Sequence, residues 1–288
     1  MNDISALPTV LLHDALGGEP AQTPAELSTQ VREHLKARQA QGVVYLELHV
    51  ELAAHIAGGL TLQEVIDCVV AGLDVPLIDA RLIPTTHTSG DVAAVASLVV
   101  SNHGRQVVGF GLVGDARPHL AALAQLRANY VPFTVAVTGL VETDAALQAG
   151  AVRLGHPLAL IDDFSIDTTG FDGILPGRVS GWVRDRHLSC DFFPSAEVAA
   201  GTVDEYSEHP LTLLQQLGFT CTVHADDFER LEQVFGYGAE EFFDLTLNAV
   251  RGAFLTEVER QDLLERVILP AYESQDLQAG LEEFGDQE

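Results

Sequence analysis

Short runs of apolar, β-branched residues alternate with longer stretches of helical period from one end of this chain to the other. The apolar runs predict eight strands, over residues 9–13, 43–50, 75–83, 106–113, 131–137, 152–154, 188–193 and 219–225. Between them the spacing predicts amphipathic helices over 24–41, 62–73, 91–102, 117–129 and 210–217. In the first of these Leu27, Val31 and Leu35 recur at every fourth position, which puts them on one face, and Pro24 falls where a helix tolerates a missing N–H. Residues 240–272 predict further helices.

Eight strands with helices between them, in a chain of 288 residues, match an α/β fold, the (β/α)8 TIM barrel with extra C-terminal helices, whose usual size is about 250 residues. No linker or low-complexity stretch divides the chain. The expected organisation is therefore one domain over residues 1–272 and an acidic tail over 273–288.

Composition narrows the partners. A hydrophobic fraction of 47% supports a large core, and 42 acidic against 15 basic residues give a net charge of −27. That charge repels phosphate backbones and anionic membrane surfaces, so neither nucleic acid nor membrane is an expected partner. Its plainest reading is a solvated, repulsive surface. Cys68, Cys190 and Cys221 lack the spacing of a disulfide framework or a zinc finger and predict buried thiols in a reducing compartment. With no apolar span and no secretory pattern at the N-terminus, the cytoplasm is the expected location.

In a TIM barrel the chemistry sits at the C-terminal ends of the strands. Those positions hold His13-Asp14-Ala15, His49 and Glu51, Thr86-His87, Gly114-Asp115, Thr138-Gly139-Leu140, Gly155-His156 and Asp226-Asp227. The adjacent carboxylates are the sharpest signal, because two like charges side by side raise one pKa unless a cation offsets them. Two readings of Asp226 and Asp227 stay open: a residual metal or ligand site, or a pair that bonds backbone at the barrel rim. His224 lies one alternation from Asp226 and could share its face, so a makeshift group of His13, His224 and Asp226 is conceivable. His156 reads as structural.

In sequence order, Leu12-His13-Asp14-Ala15-Leu16-Gly17-Gly18, residues 42–48, residues 107–115, Arg153-Leu154-Gly155-His156, His209-Pro210, Val223-His224-Ala225-Asp226-Asp227 and residues 248–254 resemble motifs of the adenosine deaminase family, metal-dependent TIM barrels of the amidohydrolase superfamily. The resemblance implies a catalytic zinc held by two histidines after the first strand, one after the fifth, and the first Asp of the terminal pair. His13 and Asp226 match two of these ligands, while Ala15 and Val137 stand at the other two. Leu140 stands where the family carries its proton-transferring glutamate, and Ala159 where a catalytic histidine follows the Gly-His element. Gly17 and Gly111 replace acidic positions, whereas Gly114 and Gly139 keep the backbone approachable. Between Gly18 and Gly42 only one helix fits, where the family places a longer covering segment.

The resemblance with these replacements implies a degenerate pseudoenzyme that acts by binding or regulation, with no cofactor, or zinc if any metal. The competing expectation is an active purine nucleoside deaminase or related hydrolase with a rearranged metal site. Residual catalytic candidates are Asp226 and Asp227; the expected pocket is lined by His13, Gly114, His156 and His224; the partner is a purine nucleoside or other small molecule, and the chain could form an oligomer. His13, as an imidazolium, is expected to offset the charge of the carboxylate pair.

Overall fold

The computed structural model describes residues 7–167 and 173–273. Eight parallel strands follow one another around a nearly closed barrel: β1 (Thr9–Ala15), β2 (Val43–Glu51), β3 (Asp79–His87), β4 (Phe110–Val113), β5 (Phe133–Ala136), β6 (Arg153–Gly155), β9 (Ser189–Phe192) and β10 (Thr220–Val223). Each matches one of the eight expected strands. Helices α1 (Pro24–Ala40), α2 (Leu62–Gly72), α3 (Val92–Asn102), α4 (Leu120–Ala128), α5 (Leu140–Ala149), α6 (Arg178–Asp185), α7 (Pro194–Ala199) and α8 (Leu211–Gln216) occupy the connections. After β10 come α9 (Phe228–Phe235), α10 (Ala239–Gly252) and α11 (Glu257–Leu263), the extra C-terminal helices. The tail residues 274–288 lie outside the described chain. Among the described residues no helix is long and apolar enough to cross a membrane.

Two departures from the expected elements have local causes. The third strand starts at Asp79 rather than at residue 75, because Pro76 and Leu77, the latter at φ 69°, form a turn that the apolar run conceals. It also runs past Pro84, which falls where the β3–β4 ladder is interrupted between the Leu82–Val107 bridge and the Thr85–Gly111 pair, so its missing N–H costs little. The second departure is an antiparallel hairpin outside the barrel, β7 (Phe164–Asp167) with β8 (Gly173–Pro176), inserted between β6 and β9.

Strand alternation sends Leu46, Leu48 and Val50 outward under the helices and Tyr45, Glu47 and His49 into the barrel. The interior is unusually polar. Arg153, with no exposed surface, lies with Nη1 2.7 Å from Glu47 Oε2 and Nε 3.2 Å from Asp191 Oδ2. The Phe254 ring stacks on its guanidinium at 4.1 Å, and Nη1 also donates to the Gly252 carbonyl at 3.3 Å. Tyr45 donates to Glu47 Oε1, as does the backbone N–H of Phe254, and Thr222 donates to Asp191 Oδ1 at 2.6 Å. This group ties β2, β6, β9 and β10 to the segment that follows α10. Gly109 makes room for it, since a Cβ there would come within 2.4 Å of the Phe254 ring.

No backbone ladder joins β10 to β1 among the described residues. Helix α10 packs against both strands and covers that seam, with Asn248 Nδ2 donating to the Cys221 carbonyl at 3.1 Å.

Replacing Arg153 by Met removes the cation that is ion-paired with two buried carboxyls, Glu47 and Asp191. Breaking a buried pair from one side costs about 3–5 kcal/mol, so the urea midpoint of R153M is expected to fall steeply. A midpoint equal to that of the unmodified chain would contradict the role assigned to Arg153.

Candidate functional site

At the C-terminal end of the strands, β1 presents His13 to the barrel interior and, one residue on, turns Asp14 outward against α1. Asp14 is buried and surrounded by donors. Arg38 forks onto it, Nε to Oδ2 and Nη2 to Oδ1, both at 2.9 Å, and its third nitrogen, Nη1, reaches Asp226 Oδ1 at 3.0 Å and Oδ2 at 3.2 Å. His34, one helical turn before Arg38, meets Asp14 Oδ2 at 2.7 Å. His224 completes the group, with Nε2 3.4 Å from Asp14 Oδ1 and Nδ1 3.3 Å from Asp226 Oδ2.

The electrostatics follow from that geometry. Burial pushes against ionisation of Asp14, but hydrogen bonds from His224, His34 and Arg38 hold it far below the usual carboxylate range. Burial likewise disfavours a charged His224, yet its bonds to Asp14 and Asp226 prevail and raise it to about 9. As an imidazolium it donates from both nitrogens, so Nδ1 serves the Asp226 carboxylate rather than the backbone N–H of Asp226 at the same distance. Asp226 is held below its ordinary value by the His224 hydrogen bond and by Arg38.

The carboxylate pair thus divides. Asp226 is half exposed and carries the ion pairs, whereas Asp227 is buried and accepts from the Ser195 N–H at 2.9 Å and the Tyr206 hydroxyl at 3.1 Å, a structural cap on the rim. The counter-charge for Asp226 does not come from His13. That ring stacks on His49 at 3.8 Å with an interplanar angle of 7°, edge-on to Phe193 at 5.0 Å, and its buried Nδ1 has no hydrogen-bond partner among the described residues. Burial, with the charge of Arg153 behind it, lowers its pKa to about 3, so His13 is neutral where an imidazolium was expected. His49 is pushed well down for the same first reason and is fixed by the Leu12 carbonyl and Thr85, each at 3.3 Å.

Little space remains between these side chains. The cavity bounded by Leu12, His13, Asp191, Phe193, Thr222 and His224 holds about 10 Å³, at most room for one water. A side chain at Gly111 would meet Thr85 Oγ1 at 2.5 Å and His49 Nδ1 at 3.3 Å, so an acidic residue has no place there. Of the four expected pocket residues only His13 and His224 line this cavity. Gly114 lies outside it with φ 100° beside Thr88. His156, itself at φ 54°, bonds Glu197 Oε1 at 2.8 Å, and the buried Glu197 accepts a second bond from His209 at 2.7 Å.

A family model for adenosine deaminase matches residues 15–270. The chain belongs to the adenosine deaminase family. It is 31% identical over 281 residues to a protein named adenosine deaminase from Mycolicibacterium vanbaalenii, an alignment covering 87% of this chain and 77% of that one. Its fold is that of a zinc-bound amidohydrolase from Burkhoderia ambifaria, with a TM-score of 0.77 at 16% identity over 91% of this chain and 77% of the other. It is also that of an Arabidopsis protein, ADAL, complexed with IMP, with a TM-score of 0.77 at 16% identity over 96% and 100% of the two chains.

Placed on the adenosine deaminase pattern, the donors present do not fit a zinc. A catalytic zinc takes three protein ligands and a water. Ala15 is exposed, Val137 is buried in the core, and among the described residues no three His, Cys, Asp or Glu side chains are grouped to hold a metal ion. The group of His13, His224 and Asp226 does not form, since His224 and Asp226 are engaged with Asp14 and Arg38. Sequence reasoning found Asp226, His13 and His224 but missed their partners. His34 and Arg38, four residues apart on one helix face, were the available signal.

His224 gives this cluster a pH dependence. Its folded pKa lies above its ordinary 6.5, so its stabilisation is fully present below about pH 6.5 and is lost as pH rises through about 9. Unfolding free energy is expected to fall by on the order of 2–3 kcal/mol across that interval, and the H224Q variant to show a flatter profile in urea titrations at pH 6, 7.5 and 9.5. Parallel profiles for the two proteins would refute the assignment.

Proposed function

We propose that this member of the adenosine deaminase family works by binding rather than by zinc-dependent deamination. The observation that carries this reading is Arg38. Its guanidinium sits on the carboxylate of Asp226, where the family resemblance places a metal ligand, and a cation already satisfied by two carboxylates leaves that oxygen pair little reason to take another. The replacements at Ala15, Val137 and Leu140 support the same reading, as does a cavity too small for a nucleoside. With its acidic surface, the chain would act on a small molecule or another protein, in the cytoplasm, and not on nucleic acid or a membrane.

The competing reading is an active purine nucleoside deaminase with a rearranged metal site, supported by a relative of 31% identity that carries the name adenosine deaminase. It requires Arg38 to leave Asp226 and the mouth to open.

Metal analysis of protein dialysed against zinc, with the absorbance change of adenosine conversion to inosine, separates the two. We expect metal well below stoichiometric and no turnover. The variant carrying Ala15→His, Val137→His and Leu140→Glu is expected to recover zinc only when Arg38→Ala is added. Stoichiometric zinc with turnover in the unmodified chain would overturn the proposal.

A further inference from the structure

The opposite end of the barrel is built differently. The loop before β4, Pro132 before β5, Val152 before β6, His187 before β9 and the segment between α10 and α11 all lie at the N-terminal ends of strands, and together they enclose an open cavity of about 800 Å³. That is within the roughly 300–1,000 Å³ of small-molecule sites. Its wall is partly apolar: Val108, Pro132 and Leu255 lie beside the partly exposed ring of Phe254, whose position is fixed by Arg153 and by the Glu47 carboxylate.

Charge distinguishes this cavity. In a chain with only 15 basic residues against 42 acidic ones, Arg105, Arg251 and Arg260 all line it, with His103 and His187. Arg260 is engaged by Glu257 at 2.7 Å and the Ala253 carbonyl at 3.3 Å. Arg105 and Arg251 are exposed; among the described residues neither guanidinium makes a salt bridge or hydrogen bond, although the charge of Arg105 acts at longer range on Asp79 and Glu259. Glu259 is the lining carboxylate, and it is turned to Arg81 and to its own helix N-terminus through Thr256. Two exposed guanidiniums lining the same cavity as a fixed aromatic ring match a dianionic phosphate joined to a flat, partly apolar body. His187 is held at the rim with φ 52°, its ring exposed.

We propose that this basal cavity binds an organic phosphate of the nucleoside monophosphate class, with Arg105 and Arg251 on the phosphate and Phe254 and Pro132 against the base. The site is independent of the reading given for the other mouth: it would hold its ligand whether or not the chain deaminates.

The test is calorimetric titration of the full chain with AMP, inorganic phosphate and adenosine. AMP is expected to bind saturably and more weakly as salt is raised, and more tightly than either fragment. The R105Q/R251Q variant should lose at least about tenfold in AMP affinity. The R178Q/R184Q variant, which removes the same charge from the surface elsewhere, should not. Arg105, Arg251 and Arg178 are exposed and Arg184 is half-buried, and matching melting temperatures would exclude misfolding as the cause. Absence of saturable AMP binding, equal loss in the two variants, or phosphate binding as tightly as AMP would each overturn the proposal.

Discussion

The buried Arg153 guanidinium is the constraint around which the rest of the barrel is arranged. Two charges leave water only at high cost, and a buried ion pair is often no more stabilising than apolar residues of the same volume. What it supplies is uniqueness: Glu47, Asp191 and the Gly252 carbonyl can meet one guanidinium in one arrangement only, and that fixes the relative register of β2, β6, β9 and the segment after α10. Its influence extends up the barrel axis. A positive charge beneath His13 opposes protonation of that ring, so His13 stacks on His49 as a neutral, apolar-faced group. The carboxylates at the rim must then find their cations outside the barrel, and helix α1 and the end of β10 provide them in Arg38 and His224.

The two ends of the barrel consequently differ in kind. At the C-terminal end acids and bases are matched to one another and almost no volume is left between them. At the N-terminal end three arginines line a wide cavity, and two of them, Arg105 and Arg251, are exposed to solvent. On the readings proposed above, the first set of charges serves one another and the second is left to serve a ligand.

How much of this could be read from the sequence depended on the range of the interaction involved. Strand identity is local, and all eight barrel strands were legible from short apolar runs; the displaced start of β3 arose because Val75 precedes a Pro76–Leu77 turn that an apolar count treats as strand. Helix α5 was missed because its buried face is made of Thr143, Ala145, Ala146 and Ala149, which give almost no amphipathic contrast. At the site, the residues on strand ends were found and their charge partners were not. Asp226 and Arg38 are 188 positions apart, and the four-residue spacing of His34 and Arg38 marks a shared helix face without marking which carboxylates that face will meet. Arg153 was visible only as one letter of a motif, since its burial depends on three other segments.

The backbone N–H of Phe254 donates to Glu47 across 207 positions of sequence, and that separation bears on how the chain must be made. When β2 leaves the ribosome, Glu47 has neither Arg153 nor Phe254 to meet. Arg153 is added about halfway along the chain and Phe254 only within its last eighth, so the full set of partners for this carboxylate is present only near the end of synthesis. Partial products ending before α10 would therefore expose the seam between β10 and β1 together with an incompletely paired charged core. Exposed apolar surface beside an incompletely paired buried charge is what makes an incomplete barrel prone to aggregation.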